Sequence, residues 1–259
     1  MRSALRLALI VFLLLLTTAN TSHAGAVQYQ PIWVKDAVVF HPPCPDNGSG
    51  QRIESPDRRS AVEIHCRITT DGDPAFYLNV KLPGGKTKPV HLHEGANEVL
   101  WSPDSKAFFV DGGTSATWGF FVAVYKIEGS SLRKLNVTRL AQRDMVRAFP
   151  PCKAYNRDPQ LCRRIEAKPG YNMSGIGWVR SSAAVIVMAE VPCSGEYGGI
   201  MCQVQGYELD ASSGTILKRM SATELKKQWQ GKMAWDMRIP DPPAYGPPCQ
   251  TFRCAVKTP

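Results

Sequence analysis

The sequence predicts an all-β fold built from three tandem antiparallel β-meander units, with a few short helices. Three observations predict it: an internal repeat, two kinds of hydrophobic patterning, and a regular punctuation of turns. The repeat is an echo between Trp101-Ser102-Pro103-Asp104-Ser105 and Trp178-Val179-Arg180-Ser181-Ser182, each opening a strand-rich segment. The segments close on Leu132-Arg133-Lys134-Leu135-Asn136-Val137-Thr138-Arg139-Leu140 and Leu217-Lys218-Arg219-Met220-Ser221-Ala222-Thr223-Glu224-Leu225. They match in chemical type except that Arg139 faces Glu224 with opposite sign. Self-similarity of this kind means one supersecondary unit stacked on its copies.

The first unit runs from about Arg52 to Glu94. Val62, Ile64, Cys66 and Ile68 alternate with Glu63, His65 and Arg67, as in a strand with one buried face. Phe76, Leu78, Val80 and Leu82 repeat the pattern, Pro83-Gly84-Gly85 turns, and Val90 and Leu92 return. The second unit begins near Asn97. Its Ala107–Asp111 stretch has no polar side, so it reads as a strand covered on both faces. Trp118–Ile127 is its next strand, Gly129-Ser130-Ser131 turns, and Leu132–Val137 returns. The third unit spans about Ile176 to Met220, with Ala183–Val191 as the buried strand. The opening motifs are offset by 77 positions and the closing motifs by 85, which places an insertion between them. Pro192–Met201 is its predicted place, a lengthened hairpin loop closed by Cys193 and Cys202.

Helices are few. Ser221 and Glu224 form a capping box ahead of Leu225 and Trp229. Asn136 to about Arg147 reads as the equivalent helix, with Asn136 as cap, and Asp158-Pro159 as the start of a third. Gln28–Phe40 and Met233–Ile239 are segments that could complete a fourth sheet.

The N-terminus reads as a secretory signal peptide over residues 1–24. Arg2 and Arg6 precede the apolar run Leu7–Leu16, and Ser22-His23-Ala24 offers the small residues of a cleavage site before Gly25. The run is shorter than the ~20 residues that span a bilayer. The expected organisation is therefore signal peptide, a β-repeat domain over 25–239, and a proline-rich tail over 240–259. Secretion or a periplasmic location follows, without a transmembrane anchor once the signal is cleaved.

Eight cysteines occur, Cys44, Cys66, Cys152, Cys162, Cys193, Cys202, Cys249 and Cys254, and an even number in an exported chain reads as disulfides. Proximity pairs Cys44 with Cys66, Cys152 with Cys162, Cys193 with Cys202 and Cys249 with Cys254. The formal charge of +9 is scattered, with no run of five or more, so a nucleic-acid patch is not indicated.

Chemistry is sparse. His65, His91 and His93 share one sheet face and are the candidates for metal ligation; solvated histidines are the preferred reading, and no metal or cofactor is expected. Asp71-Gly72-Asp73 begins like a calcium loop but lacks the later acidic ligands. Ser174 lacks the first glycine of a nucleophile elbow. No catalytic residue is assigned. Trp101 and Trp178 stand at equivalent sites and read as packing groups.

Ser55-Pro56-Asp57-Arg58-Arg59 and Ser102-Pro103-Asp104-Ser105-Lys106, each followed by an apolar strand, resemble the Ser-Pro-Asp-Gly-Lys signature of TolB-type β-propeller repeats. Proline fixes the backbone of a tight turn there, and the aspartate can bond back to nearby amides. The third copy, Val179-Arg180-Ser181, has lost the motif. The resemblance implies a small or partial β-propeller-like domain, and it implies protein contacts as the role. The resulting expectation is a non-catalytic scaffold that binds a protein partner of the envelope or exterior through loops at one rim. The alternative is an extracytoplasmic hydrolase whose residues converge only in three dimensions.

Overall fold

Among the described residues, thirteen strands form three antiparallel sheets that follow one another along the chain. The computed structural model describes residues 34–40, 51–68, 70, 74–91, 97–113, 120–150, 160, 163, 170–193 and 195–234. The first sheet is a plain meander of β2 (Arg52–Glu54), β3 (Ala61–Ile68), β4 (Pro74–Lys81) and β5 (Thr87–His91). The second holds β6 (Asn97–Trp101), β7 (Ala107–Gly112), β8 (Phe121–Glu128) and β9 (Ser131–Leu135). The third holds β10 (Asn172–Val179), β11 (Ala184–Glu190), β12 (Val204–Asp210) and β13 (Ile216–Ser221). No sheet closes on itself among the described residues.

No fourth sheet is seen among the described residues; 28–33 and 235–239 of the two segments that could complete one lie outside them. The N-terminal segment instead supplies β1 (Val38–Phe40), which pairs antiparallel with β6, Val38 opposite Val99, and becomes a fifth strand of the second sheet. Met233 makes a single bridge to Val34, supported by the Lys35 N–H donating to the Lys232 carbonyl at 3.0 Å. The physical reason is that β6 presents a free inner edge, and an unpaired edge is satisfied by the nearest extended segment.

Hydrophobic pattern and sheet position agree. In the first sheet Ile53, Val62, Ile64, Leu78 and Val80 are buried while Glu63, His65, Tyr77, Asn79 and Lys81 stay partly exposed. One face packs on the second sheet; the other is polar. In the second sheet β7 is buried at every residue. Phe108 and Val110 join the first sheet's core, whereas Phe109 belongs to the core shared with the third sheet. Complete burial of each ring contributes roughly 2–3 kcal/mol. β7 is apolar on both sides because its sheet lies between two others.

The inner strands β10 and β11 of the third sheet are also buried on both sides, and helices complete the sheet's cover. α1 (Val137–Ala148) buries Val137, Ala141 and Met145 between the second and third sheets. Asn136 makes no side-chain cap, contrary to expectation; the Thr138 hydroxyl instead donates to the Val122 carbonyl and ties the first turn to β8. α2 (Ala222–Trp229) starts on the predicted capping box, with the Ser221 Oγ accepting from the Glu224 N–H at 3.2 Å and the Glu224 carboxylate accepting from the Ser221 N–H at 2.8 Å. It packs on the opposite face of the third sheet, where a Cβ on Gly206 would lie 2.7 Å from Leu225 Cδ1 and one on Gly177 3.1 Å from the Trp229 ring.

The insertion is a loop between β11 and β12 carrying short 3-10 turns within Gly195–Ile200, and Cys193–Cys202 closes it as a disulfide. The other three expected pairings, the signal peptide, the tail and the helix at Asp158-Pro159 lie outside the described residues. No described helix is long and apolar enough to cross a membrane.

Candidate functional site: the turn rim

In an antiparallel meander the turn after the first strand and the turn after the third emerge on the same side. The Ser-Pro-Asp turns therefore share a rim with Pro83-Gly84-Gly85, Gly129-Ser130 and the Asp210–Gly214 turn.

Each Ser-Pro-Asp turn is a closed hydrogen-bond unit. In the first sheet the Ser55 hydroxyl donates to Asp57 Oδ1 at 2.7 Å, the Ser60 N–H donates to Ser55 Oγ at 3.0 Å, and the Arg59 N–H donates to Asp57 Oδ1 at 3.0 Å. Ser102, Asp104, Lys106 and Ala107 repeat the same bonds at 2.7, 2.9 and 3.1 Å. The residue after the aspartate takes left-handed backbone, with φ of 58° at Arg58 and 63° at Ser105. In the third sheet Ser182 holds that position with φ of 80°, although the Pro and Asp are gone.

This left-handed position links the sheets. The Asp57 N–H donates to Ser105 Oγ at 2.9 Å, and the Asp104 N–H donates to Ser182 Oγ at 3.1 Å. Tryptophans make a second relay: Trp101 Nε1 donates to the Ile53 carbonyl and Trp178 Nε1 to the Leu100 carbonyl, each at 3.4 Å. The second and third sheets thus each read their predecessor through one hydroxyl and one indole at repeat-equivalent sites. The first sheet carries Arg58 and Glu54 at those two sites.

Clefts between neighbouring sheets open at the rim. One, of about 270 Å³, lies between the second and third sheets and is lined by Asp104, Lys106, Lys126, Ser182, Asp210 and Ser212. Another, of about 470 Å³, lies between the outer strands of the first two sheets and is lined by Lys88, Pro89, Tyr125, Ser131, Leu132 and Lys134.

The rim's carboxylates are engaged internally. The Arg59 N–H and the Ser55 hydroxyl hold the Asp57 carboxyl below its ordinary value. Burial pushes Asp104 up, but the bonds from Ser102 and the Lys106 N–H outweigh it and leave that carboxyl lowered. Asp210 accepts from the hydroxyls and N–H groups of Ser212 and Ser213, with Ser212 the largest influence, and is pulled down to about 2. Glu128 is taken by Arg133 at 2.8 Å and Lys126 at 3.7 Å, and Glu208 by Arg180 at 2.6 Å. Arg58, Arg59, Lys86, Lys88, Lys106 and Lys134 are exposed and form no close ion pair among the described residues, although the charges of Arg59 and Lys106 act weakly on Asp57 and Asp104. The charge left for a ligand is positive.

Of the histidine candidates, His65 lies elsewhere, on the polar face of the first sheet. His65 and His91 are both in register with Tyr77, one on each side. His65 stacks on Tyr77 with ring centroids 5.5 Å apart, its Nε2 3.9 Å from Glu63 Oε2. His93 lies outside the described residues, as does Asp71-Gly72-Asp73. No group of three metal-ligating side chains gathers among the described residues. Ser174 is buried in β10, and its Oγ has no hydrogen-bond partner among the described residues.

Sequence reasoning missed a buried polar cluster on the inner strands. Glu98 and Asp111 are fully buried and face each other in the β6–β7 register. Glu98 Oε2 accepts from the Val34 N–H at 3.0 Å, and Asp111 Oδ1 accepts from the Gly175 N–H at 2.8 Å, while Asp111 Oδ2 has no partner. Burial, with the nearby Glu98 adding to it against the Gly175 bond, pushes the Asp111 carboxyl well up. Two carboxyls inside otherwise apolar strands were the available signal. Compared with models of known protein families, with characterised proteins and with solved structures, the chain shows no match.

Proposed function

We propose that this chain is an exported, non-catalytic β-repeat protein of the TolB-like repeat type, acting in the periplasm or outside the cell, and that it holds a protein partner against its turn rim. The observation that carries the reading is the division of charge there: the aspartates serve the turns, whereas Arg58, Arg59, Lys86, Lys88, Lys106 and Lys134 are exposed and form no close ion pair among the described residues. A face with one sign of available charge steers an oppositely charged partner and fixes its register. Three sheets linked through repeated bonds supply the rigid base such a face needs. The Cys193–Cys202 bridge suits an oxidising compartment.

The test is capture from envelope extract by the immobilised mature chain, beside an Arg59→Glu/Lys106→Glu variant and a Lys226→Glu/Lys227→Glu control on α2. A partner retained by wild type and the control but lost by the rim variant supports the reading. Equal retention by all three, or repeated failure to retain any protein, overturns it.

A further inference from the structure

The cleft between the first two sheets has a composition of its own. It lies between β5 and β9, the outermost strands of their sheets. Tyr125, only 5% exposed, and Leu132 give it apolar walls. Lys88 and Lys134 bring two ammonium groups, with Lys134 Nζ 6.0 Å from the Tyr125 ring centre. No carboxylate lines it. Glu128, at the start of the β8–β9 turn, is held by Arg133 and Lys126, and Arg133 is further occupied by the Ser212 carbonyl at 2.6 Å. Lys86 Nζ donates to Ser130 Oγ at 3.2 Å and joins the two turn tips beside the cleft.

We propose that this cleft reads an extended acidic peptide segment of the partner, in which acidic and apolar residues alternate; the proposal rests on the rim reading above. Alternation follows from strand geometry, since successive side chains of an extended peptide point to opposite sides. One set enters the Tyr125–Leu132 walls and the other meets Lys88 and Lys134. The volume of about 470 Å³ falls within the range of small binding sites and admits a few side chains. Pro89 has no N–H to give, so β5 offers an incomplete edge for strand addition, and recognition falls to side chains. A sulfated glycan would use charge alone and leave the apolar walls unfilled, so charge and surface together favour the peptide.

The experiment is fluorescence anisotropy with the mature chain and a labelled octapeptide alternating Glu with Val. A Lys–Val octapeptide and a heparin octasaccharide are the other probes. The expected result is binding of the Glu–Val peptide that weakens at least about tenfold in Lys88→Glu/Lys134→Glu. That variant also gains affinity for the Lys–Val peptide. Thermal unfolding checks that it folds, and Lys88→Gln/Lys134→Gln replaces it if it does not. Absent Glu–Val binding, equal binding by wild type and variant, or binding of heparin in its place each overturns the proposal. If the peptide fails while Arg59→Glu/Lys106→Glu still abolishes partner capture, the cleft assignment falls and the rim reading stands.

Discussion

At the scale of single residues, the sharpest departure from local rules is Asp111. A fully buried carboxyl with one unpartnered oxygen is costly when ionised, and the cost grows with Glu98 opposite it. Its pKa is raised on folding, so the native state binds more protons than the unfolded chain. The stabilisation is complete below the unfolded value near 4 and is lost as pH rises towards the raised native value. Asp111→Asn keeps an oxygen for the Gly175 N–H and removes the titration. Urea unfolding between pH 4 and 8 should show wild type losing stability with rising pH and the variant staying flatter. The rim aspartates carry the opposite sign. Asp210, pulled down to about 2, stabilises above pH 4, and that contribution disappears as pH falls through 2. Ser182 separates two effects at one site. Ser182→Ala loses the hydroxyl that accepts from the Asp104 N–H and keeps the left-handed strain, a cost of about 1–2 kcal/mol. Ser182→Gly loses the same bond but relaxes the φ of 80°, and its midpoint in urea should fall less.

At the scale of elements, the patterning in the sequence already encodes the position of each sheet. β3 and β4 alternate because the first sheet has one covered face, and Arg52, Glu63 and Lys81 form ion pairs on the other. β7 and β11 are apolar on both sides because each is covered twice. The turns, the two helices and the hairpin insertion were legible for the same reason: proline, capping serine and paired cysteines act locally. The path of β1 was not legible, because an edge accepts any extended segment and Val38–Phe40 has no feature that names its partner. The cross-sheet relay of Ser105 and Ser182 was not legible either, since a serine in a turn looks the same with or without a neighbour. The rim clefts escaped because they join residues far apart in sequence. Close contact between the second and third sheets depends on Gly175. A Cβ there would stand 2.7 Å from two atoms of the buried Phe109 ring. The register shift between Gly175 and Gly177 turns the two glycines to opposite faces, one to Phe109 and the other to Trp229. Gly175→Ala should cost about 1–3 kcal/mol through overpacking. Adding Phe109→Leu makes room, so the double variant in chemical denaturation should lose less than the sum of the two single changes.

At the scale of the whole molecule, a stack of three sheets must be finished at both ends, because a repeat with an apolar outer face continues to associate. The first sheet ends the stack with a polar face, and it lacks the serine and tryptophan that would reach back to a predecessor. The third ends it with α2: Trp229 sits over Gly177, the position equivalent to Ile53 and Leu100, whose carbonyls the tryptophans of the following sheets read. The outer edges need a separate device. Each sheet's last strand carries basic residues, Lys88 on β5, Arg133 and Lys134 on β9, and Lys218 and Arg219 on β13, so the echo that marked the repeat is also a line of charges along exposed edges. Charge on an edge strand opposes pairing with another molecule. The third sheet is the most exposed case, since Leu217 beside Lys218 is 47% exposed and no described strand covers β13. Arg219 is committed to Asp144 on α1 at 2.6 Å, whereas Lys218 reaches only Glu224 on α2 at 3.8 Å, an exposed pair of little weight, so its removal tests the edge at small cost to the helices. Lys218→Val creates the run Ile-Leu-Val across positions 216–218, an apolar β-prone segment on an uncovered edge. Its thermal midpoint should lie within about 2–3 °C of wild type, because a surface change of this kind moves stability by at most about 0.5 kcal/mol. Its sedimentation should shift to larger species as concentration rises, whereas Lys218→Glu, which keeps a charge at the edge, should sediment as wild type does. A Lys218→Val protein that sediments like wild type at every concentration would show that the basic edge residues are not what keeps copies of the chain apart.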